Sequence, residues 1–424
     1  MDPHTIIGFP DQSINLAADR RRRHMAIIGA TGSGKTSLLL NMFAQDVARG
    51  DGVLYIDPLG DDAERALSLI PKRRANQVCY LNFADRDHPL AMNVLEDVAP
   101  DDRELLADNV VSAMRAIWHE SWGVRMEQIL RHALLALIET PNASLVLLPR
   151  LLNDDDFRQR IVSRVCNPLT RQFLGVRFER WRDVEREIAI DPVLNKLETF
   201  LFSPVVRNIL GQARSTLDFR HEMARRHVVI ANLSKASIGD TAAHLMGALL
   251  VARVQAAGLA RLRNTAQSHP DFHLIVDEAQ DIVTDIIPTL LSQARHYGVT
   301  LALATQYLAG LSAKTQAALR GNPETLVVFR PGGPDAELLA PEFNRLHQDF
   351  NPTALLQLPR GQAAIRIAGE DVRVIALPPA PSGLGHQELM RKQSRRHYGA
   401  NRSTVEPLIN KLLCQTLPGG FGSR

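Results

Sequence analysis

The sequence predicts an α/β fold, a mostly parallel, doubly wound sheet that carries an inserted all-helical domain. Residues 24–37 (HMAIIGATGSGKTS) contain a short apolar run, a glycine-rich turn and the start of a helical pattern. From about 101 to 226 helical periodicity dominates, which predicts the insertion. Continuous apolar runs then return and alternate with helical patterns, as in strands that helices cover on both faces. These runs are HVVIANL at 227–233, FHLIVDEAQ at 272–280, VTLALATQ at 299–306 and TLVVFRP at 325–331.

The glycine-rich turn has the spacing of a phosphate-binding loop. Gly29, Gly34, Lys35 and Thr36 fit the pattern G-x-x-x-x-G-K-[ST], and a turn that binds nothing would not need this lysine and threonine. Glycines let successive backbone N–H groups surround a triphosphate, and the helix N-terminus attracts negative charge. We therefore expect Lys35 to reach the β- and γ-phosphates of ATP and the Thr36 hydroxyl to bind Mg²⁺. The predicted nucleotide contacts are Gly29, Ala30, Thr31, Gly32, Ser33, Gly34, Lys35, Thr36 and Ser37.

A second motif, HLIVDEAQ, ends an apolar run in the adjacent carboxylates Asp277 and Glu278. In a P-loop enzyme such a strand delivers the first carboxylate to the Mg²⁺ shell, and the second orients and deprotonates the attacking water. Alone the motif is weak, because acidic residues often end strands and start helices. Paired with the phosphate-binding loop, it predicts ATP hydrolysis; a nucleotide-binding switch without hydrolysis is the alternative.

Other candidates for the site come from strand ends and arginines. Gln306 ends the run VTLALATQ, where its amide would bind the γ-phosphate or the attacking water, or would only cap the strand. Asp57 ends the run VLYID and is a second-tier candidate for the same reason. Arg295, in TLLSQARHYG, offers a planar guanidinium that stabilises charge on a transferring phosphoryl group, usually from a neighbouring subunit. Arg320 and Arg330 compete with it, and spacing alone leaves the choice open.

Shorter patterns complete the prediction of secondary structure. Residues 35–49 carry apolar positions at helical spacing and end at Gly50, which predicts a helix and its stop. Four arginines, Arg20–Arg23, precede the phosphate-binding loop and would lie in a solvated turn or face DNA or another subunit. Further strands are predicted in a small hairpin at 5–16, at 53–57, at 77–83 and in a last hairpin at roughly 363–378.

These patterns predict three domains. The nucleotide-binding domain comprises 1–100 and 227–380, and the inserted all-α domain lies at 101–226. A basic C-terminal tail follows at 381–424, which would bind DNA or a partner, or be loosely held and solvated.

Composition sets broad limits on function. A net charge of +3 over 424 residues permits anionic partners such as DNA without requiring one. Cys79, Cys166 and Cys414 lie far apart, so the cysteines predict neither a disulfide framework nor a metal site. No uninterrupted apolar stretch of about 18 residues and no basic-then-apolar leader stands out, so we expect a soluble, cytoplasmic protein without its own transmembrane anchor.

As a set, several motifs resemble those of the HerA/FtsK superfamily of RecA-like P-loop ATPases, most of all the type IV secretion system coupling proteins, which are conjugative DNA-transfer ATPases. The motifs are GATGSGKT, VLYIDP, ANLSKASIGDTAAHLMGALL, IVDEAQ, QARHYGVTLALATQ and FRPGGPDAELLAPEF, and the likeness covers roughly 5–60 and 225–345. It implies a homo-hexameric ring that binds ATP between subunits and moves DNA, without sequence preference, through a central channel. It also implies that the insertion faces the DNA.

Carried over by motif position, the resemblance gives each candidate a role. It implies that Lys35 and Thr36 bind the nucleotide and Mg²⁺, that Asp277 and Glu278 form the acidic pair and that Gln306 is the sensor. Arg295 falls where such proteins keep an arginine that acts in trans. The sequence also departs from the family pattern, because coupling proteins usually begin with transmembrane helices and we expect none here.

We therefore expect an ATP-driven DNA translocase that acts in conjugative or mobile-element transfer. It would be cytoplasmic or peripheral to the inner membrane, with a relaxase or a membrane secretion complex as further candidate partners. The alternatives are an ATPase of a secretion or assembly machine that acts on protein partners, and a HerA-like DNA-processing helicase.

Overall fold

The computed structural model describes residues 4–8, 14–96, 98–263, 269–282, 286–343, 351–370 and 372–414. The chain divides into two compact units. The sheet unit comprises Met1–Ala84, Ser112–Ile117 and Asp218–His397, and the helical unit comprises Asp85–Val111, Trp118–Leu217 and Tyr398–Arg424. The domain limits given above stay a prediction.

The strands occur where apolar runs predicted them. They are β1 (Thr5–Gly8), β2 (Ile14–Leu16), β3 (Met25–Ile28), β4 (Gly52–Asp57), β5 (Val78–Asn82), β6 (Val228–Asn232), β7 (Phe272–Val276), β8 (Val299–Thr305), β9 (Thr325–Phe329), β10 (Gln362–Ile367) and β11 (Arg373–Ala376). Every residue of β3, β4, β6, β7, β8 and β9 is buried, as expected for strands covered on both faces.

Nine of the strands in the described residues form one sheet in the order β11-β10-β9-β3-β8-β7-β4-β6-β5. From β9 to β5 every neighbouring pair is parallel, whereas β10 pairs antiparallel with both β9 and β11. β1 and β2 form a separate antiparallel hairpin. The predicted mostly parallel sheet is therefore confirmed, and the antiparallel hairpin β10–β11 extends it at one side.

Helices occupy most of the remaining described chain. In chain order they are α1 (Ala18–Arg21), α2 (Lys35–Arg49), α3 (Asp61–Ser68), α4 (Arg103–Ile117), α5 (Val124–Ile138), α6 (Leu148–Asn153), α7 (Asp155–Val162), α8 (Pro168–Gln172), α9 (Asp183–Leu201), α10 (Pro204–Leu210), α11 (Phe219–Ala224), α12 (Lys235–Ile238), α13 (Asp240–Arg263), α14 (Ile286–Gln293), α15 (Ala313–Gly321), α16 (Gly333–Phe343), α17 (Pro352–Leu356), α18 (Gln387–Tyr398) and α19 (Arg402–Cys414).

The helix that follows the phosphate-binding loop has the predicted limits. α2 runs from Lys35 to Arg49, and Gly50 ends it in the left-handed conformation (φ 93°), which favours glycine. Its apolar side chains, among them Leu39 and Phe43, are fully buried in the core on one face of the sheet. This packing fixes the helix N-terminus at the end of β3.

One helix within the described residues, α13, is long and apolar enough to cross a membrane by length and composition. Its most apolar window has a mean hydropathy of 1.4, and 72% of that window is buried inside the protein. A core helix of a large domain has the same length and composition. Leu245 and Leu249 of α13 are buried, as side chains of a core helix are.

The helical unit has a core of its own, which includes buried residues of α5, α6, α9 and α10. Asn93, 1% exposed, ties it together by donating hydrogen bonds from its amide to the carbonyls of Ala143 and Ala213. Arg158 is fully buried, and its guanidinium bonds Glu179 and lies over the Phe178 ring. The C-terminal α19 packs on α10 within this unit.

Candidate nucleotide site

The carboxyl ends of β3, β8 and β7 meet at one edge of the sheet. β3 pairs with β8 so that Ile28 lies opposite Thr305, and β8 pairs with β7 so that Leu303 lies opposite Val276. Because these strands are parallel neighbours, the segments that follow them emerge side by side. The phosphate-binding loop, the pair Asp277 and Glu278, and Gln306 are therefore brought together, as the sequence predicted.

The phosphate-binding loop is tied to the ends of the two strands beside it. The Gly29 N–H donates to the Thr305 carbonyl at 3.2 Å, and the Ala30 N–H donates to the Arg330 carbonyl at 2.9 Å. Gly34 has a φ of 129°, and a Cβ on it would lie 2.6 Å from Leu377 Cδ1. A larger residue at position 34 would therefore be strained and would clash, which explains the glycine.

Lys35 lies inside the loop with only 4% of its surface exposed. Its ammonium donates to the Ala30 carbonyl at 3.3 Å. Burial lowers the pKa of Lys35, and the charges of Glu278 and Asp277 act in the opposite direction. The ammonium is thus held where phosphate oxygens would replace the loop carbonyl as partners.

Thr36 and Asp277 are in direct contact. The Thr36 hydroxyl donates to Asp277 Oδ2 at 2.7 Å, and the other carboxylate oxygen accepts the Glu278 N–H at 2.9 Å. Burial, with the nearby charge of Glu278, raises the pKa of Asp277 to about 7, although the bond from Thr36 opposes the shift. A hydroxyl and a carboxylate at this distance are oxygen donors that suit Mg²⁺.

Glu278 is held by two side-chain amides. Gln306 Nε2 donates to one carboxylate oxygen at 2.7 Å, and Gln280 Nε2 donates to the other at 2.6 Å. Glu278 also has a left-handed backbone (φ 44°), which is unusual for a residue other than glycine and is common at functional sites. Its side chain is therefore aimed by both backbone and neighbours.

Gln306 connects Glu278 to the phosphate-binding loop. Its side-chain oxygen accepts the Thr31 hydroxyl at 2.9 Å, while its amide nitrogen bonds Glu278. A second amide, that of Gln280, accepts from Thr305 Oγ1 at 2.8 Å and from the Gln306 N–H at 3.1 Å. Sequence reasoning missed Gln280, which lies two residues after Glu278 in the motif DEAQ.

A pocket of about 400 Å³ opens over the phosphate-binding loop. The loop and Glu278 form one part of its lining, Asp62 and Arg65 of α3 another, and Arg360 another. Leu377 and Pro378, which follow β11, complete the apolar side. Arg360 lies more than 320 residues after the loop, and no motif in the sequence marks it as a lining residue.

Asp57 has a structural partner set instead of an open side chain. Its carboxylate accepts backbone N–H groups of Leu59, Gly60 and Ala63 at 2.8–2.9 Å. These bonds fix the turn between β4 and α3, since the first N–H groups of a helix lack partners within it. Asp57, the second-tier candidate, thus uses its carboxylate to bind backbone N–H groups of the turn that follows it.

The three candidate arginines lie in different places. Arg330 follows β9 beside the loop and is exposed. Arg320, in α15, donates to the Leu338 carbonyl at 3.4 Å. Arg295 is exposed on a 3-10 turn (Ala294–Tyr297) that precedes β8, and it helps burial to lower the pKa of His24 to about 4. It therefore lies at the amino end of β8, about 20 Å of strand away from Gln306.

The arginines that precede β3 are also assigned by the structure. Arg20 and Arg23 pair with Glu324, Arg22 pairs with Asp271, and Arg21 is buried. Arg22 and Arg23 lie in a turn with side chains that are 50% exposed, so the predicted turn is present, and ion pairs hold both side chains.

Solved structures confirm the fold. The plasmid coupling protein TrwB in complex with ADP and Mg²⁺ is 18% identical and superposes with a TM-score of 0.67 over 89% of this chain and 90% of that chain. The unbound bacterial conjugative coupling protein TrwBdeltaN70 gives 16% identity and a TM-score of 0.64 over 87% of both chains. VirB4 of Thermoanaerobacter pseudethanolicus gives 15% identity and a TM-score of 0.57 over 90% of this chain and 97% of that chain.

At these identities the likeness establishes the RecA-like P-loop fold with a helical domain, as predicted. No curated protein sequence matches the chain. A family model does, and it describes the DNA-binding domain of type IV secretion-system coupling proteins over residues 12–337. Because that match covers more than half of the 424 residues, the chain belongs to the family of type IV secretion-system coupling proteins.

Proposed function

We propose that the protein is an ATP-driven motor that translocates DNA in conjugative or mobile-element transfer. The observation that carries the proposal is the contact between Thr36 and Asp277 at 2.7 Å, with Glu278 next to it, above a phosphate-binding loop. A loop that only bound phosphate would not need two further carboxylates, both on buried residues, at the same edge. Membership in the coupling-protein family supplies the DNA.

The site fits ATP with Mg²⁺. The N–H groups of the loop and the ammonium of Lys35 would hold the phosphates, while Thr36 and Asp277 would hold the metal. Bound there, Mg²⁺ neutralises charge that develops on the phosphate oxygens. TrwB was solved with ADP and Mg²⁺ and with the non-hydrolysable ATP analogue ADPNP, which supports the same ligands here.

Glu278 is the proposed general base. Its carboxylate accepts two amide hydrogen bonds, which orient it without removing its capacity to take a proton from water. Gln306 bonds both Glu278 and Thr31, so a shift of the loop around the γ-phosphate would change the position of the Glu278 carboxylate. The predicted sensor role of Gln306 rests on this link.

We also propose that the site is completed by a neighbouring subunit. Arg295 lies at the amino end of β8, whereas the phosphate-binding loop lies at the carboxyl end of β3. An exposed arginine in that position would serve the loop of another copy in a ring and not its own. A homo-hexamer, as the family resemblance implies, provides such neighbours.

The proposed partner is DNA, bound without sequence preference. Lysine and arginine contacts to phosphates would give binding that weakens steeply with salt and tolerates any sequence, as translocation requires. A relaxase or a membrane secretion complex is the proposed further partner, which would place the protein at the cytoplasmic side of the inner membrane.

The test is the ATPase rate and the oligomer size of the purified chain with single-stranded DNA, with double-stranded DNA and without DNA. Stimulation together with conversion to a hexamer supports the motor. A rate that ignores both DNA forms but rises with a secretion partner would instead favour the ATPase that acts on proteins. Hydrolysis that survives Lys35→Ala would refute the assignment of the site.

The shared site has its own test. Lys35→Ala and Arg295→Ala should each be inactive alone, yet mixed in one ring they should partly restore hydrolysis, because some interfaces then combine an intact loop with an intact arginine. The same mixture made with Arg320→Ala or Arg330→Ala is the matched comparison. If only the Arg330→Ala mixture recovers, Arg330 and not Arg295 acts in trans.

A further inference from the structure

A second group of ligand-type side chains lies in the sheet unit, in the segment DFRHEMARRH (218–227). His221 and Glu222 are adjacent in α11, and His227 directly precedes β6. One ligand atom from each of the three lies within 4.8 Å of the others. The mechanism proposed for ATP uses none of them.

The three side chains are already oriented toward one another. His227 Nδ1 lies 2.7 Å from Glu222 Oε2, and the rings of His221 and His227 have centroids 5.5 Å apart in an edge-on arrangement. The chain turns sharply between them, because Arg226 has a left-handed backbone (φ 55°) and the His227 N–H donates to the Glu222 carbonyl at 2.9 Å. The turn therefore returns His227 to the helix that carries the other two.

Burial differs among the three in a way that suits a metal ion. Glu222 is only 2% exposed, His227 is half-buried and His221 is exposed. A buried carboxylate next to two imidazoles supplies a negative charge and neutral nitrogen donors, while the exposed side leaves room for water. Two histidines and one carboxylate with one open position form a common ligand set for Zn²⁺.

A comparison within the same unit shows why this cluster is singled out. Asp46, Asp51 and His273 also lie within 4.8 Å of one another. There, however, Arg21 pairs with Asp46 at 2.8 Å and Arg49 pairs with Asp51 at 2.9 Å, so guanidinium groups already neutralise both carboxylates. A cation bound at that second cluster would have to displace two arginines from the carboxylates.

The geometry points to a Zn²⁺ site formed by His221, Glu222 and His227, with water as the fourth ligand. The ion would join the end of α11 to the start of β6 and so fix the turn at Arg226. β6 lies between β4 and β5, next to the edge strand of the sheet, so the ion would stabilise the start of a strand that is paired on both sides. The proposed site is separate from the site of ATP hydrolysis, which uses none of these three residues.

The test uses the full-length chain, stripped of metal with a chelator and titrated with ZnCl₂ in the presence of excess Mg²⁺ and without nucleotide. The wild type should bind one Zn²⁺ per chain by calorimetry and elemental analysis, with a rise in the temperature of unfolding. Cobalt(II) should give the strong visible absorption of a tetrahedral site. His221→Ala should lose both the bound metal and the thermal shift.

Controls separate a lost ligand from a lost fold. His221 is exposed, so its replacement should leave the far-ultraviolet circular dichroism and the nucleotide affinity unchanged. His119→Ala removes an exposed histidine of the helical unit and should bind Zn²⁺ as the wild type does. A wild type that binds no Zn²⁺, or a His221→Ala variant with unchanged affinity, would show that the cluster is only an ion pair between Glu222 and His227.

Discussion

The two edges of the nine-stranded sheet both collect charged side chains, but they arrange them differently. At the amino edge, Arg21 pairs with Asp46, Arg49 pairs with Asp46 and Asp51, and His273 lies 3.7 Å from Asp51. Each charge there has an opposite charge within the fold. At the carboxyl edge, Lys35 and Glu278 instead line an open pocket, and Asp277 lies behind Thr36, which also lines it.

The charges at the amino edge stabilise the fold, whereas those at the carboxyl edge are arranged to bind a ligand. Asp46 is fully buried and is matched by cations of its own chain. Asp277 is 2% exposed, and burial together with the like charge of Glu278 raises its pKa, although its hydrogen-bond partners, the Thr36 hydroxyl and the Glu278 N–H, oppose the shift. A buried carboxylate without its own cation is expected where a cation binds.

The largest expected effect is on the carboxyl edge. Glu278→Gln keeps the side-chain volume and removes the base, so ATP hydrolysis should fall by about 10²–10⁴-fold while ATP binding persists. Rapid-quench and equilibrium-binding measurements check this. The matched control is Glu337→Gln, an exposed glutamate of α16, which should change neither. An equal loss of binding and hydrolysis would argue against a catalytic role for Glu278.

A large effect of a different kind is expected at the amino edge. Asp46→Ala leaves Arg21, whose side chain is 5% exposed, as a buried charge without its closest partner. The free energy of unfolding should drop by about 3–5 kcal/mol. The hydrolysis rate per folded molecule should stay unchanged, as measured by urea unfolding and a steady-state assay. Asp19→Ala, at an exposed position of α1, is the control.

A smaller effect concerns pH. Burial, with the nearby charge of Glu278, raises the pKa of Asp277 in the fold from its ordinary value of 3.8 to about 7, so the folded state binds this proton more tightly than the unfolded chain does. The free energy of unfolding of the nucleotide-free protein should therefore fall as pH rises from about 4 to about 7, with a slope of up to about 1.4 kcal/mol per pH unit. Asp277→Asn should remove this part of the slope in urea unfolding between those limits. Since Mg²⁺ needs the charged form, its affinity should weaken below pH 7.

The smallest effect is expected where an ion pair is exposed. Arg22 bonds both oxygens of Asp271, but its side chain is 50% exposed and that of Asp271 is 22% exposed. Arg22→Ala should cost about 0–1 kcal/mol of stability, and less at high salt. A loss as large as that of Asp46→Ala would mean that burial does not determine how much each ion pair at the amino edge contributes to stability.

Local patterns predicted most of the sheet and the core of the site. The phosphate-binding loop, α2 with its stop at Gly50, and the motif ending in Asp277 and Glu278 are encoded in short runs of sequence, because their geometry depends on neighbours along the chain. Parallel strands then bring such motifs together by topology alone.

The remaining features depend on residues far apart in sequence. Arg22 finds Asp271, which lies 249 residues away, and the pocket is closed by Arg360 and Leu377. No local pattern records such pairing, so the sequence predicted that the arginines before β3 lie in a solvated turn or face DNA or another subunit, and it did not predict their ion pairs. Two amides orient Glu278, and the sequence predicted only one of them. Gln306 was predicted because it ends an apolar run, whereas Gln280 has no positional signal.

The place of β3 in the sheet also has a consequence for biosynthesis. β3 is one of the first strands to leave the ribosome, but its partners within the described part of the chain are β8 and β9, and the Ser33 carbonyl accepts from the N–H of Gly361. The first strand pairings of the sheet among segments translated earlier, such as β4 with β6, do not involve it. We expect the phosphate-binding loop to be among the first parts translated and among the last to fold, so that a nascent chain shorter than about 380 residues would be unable to retain ATP.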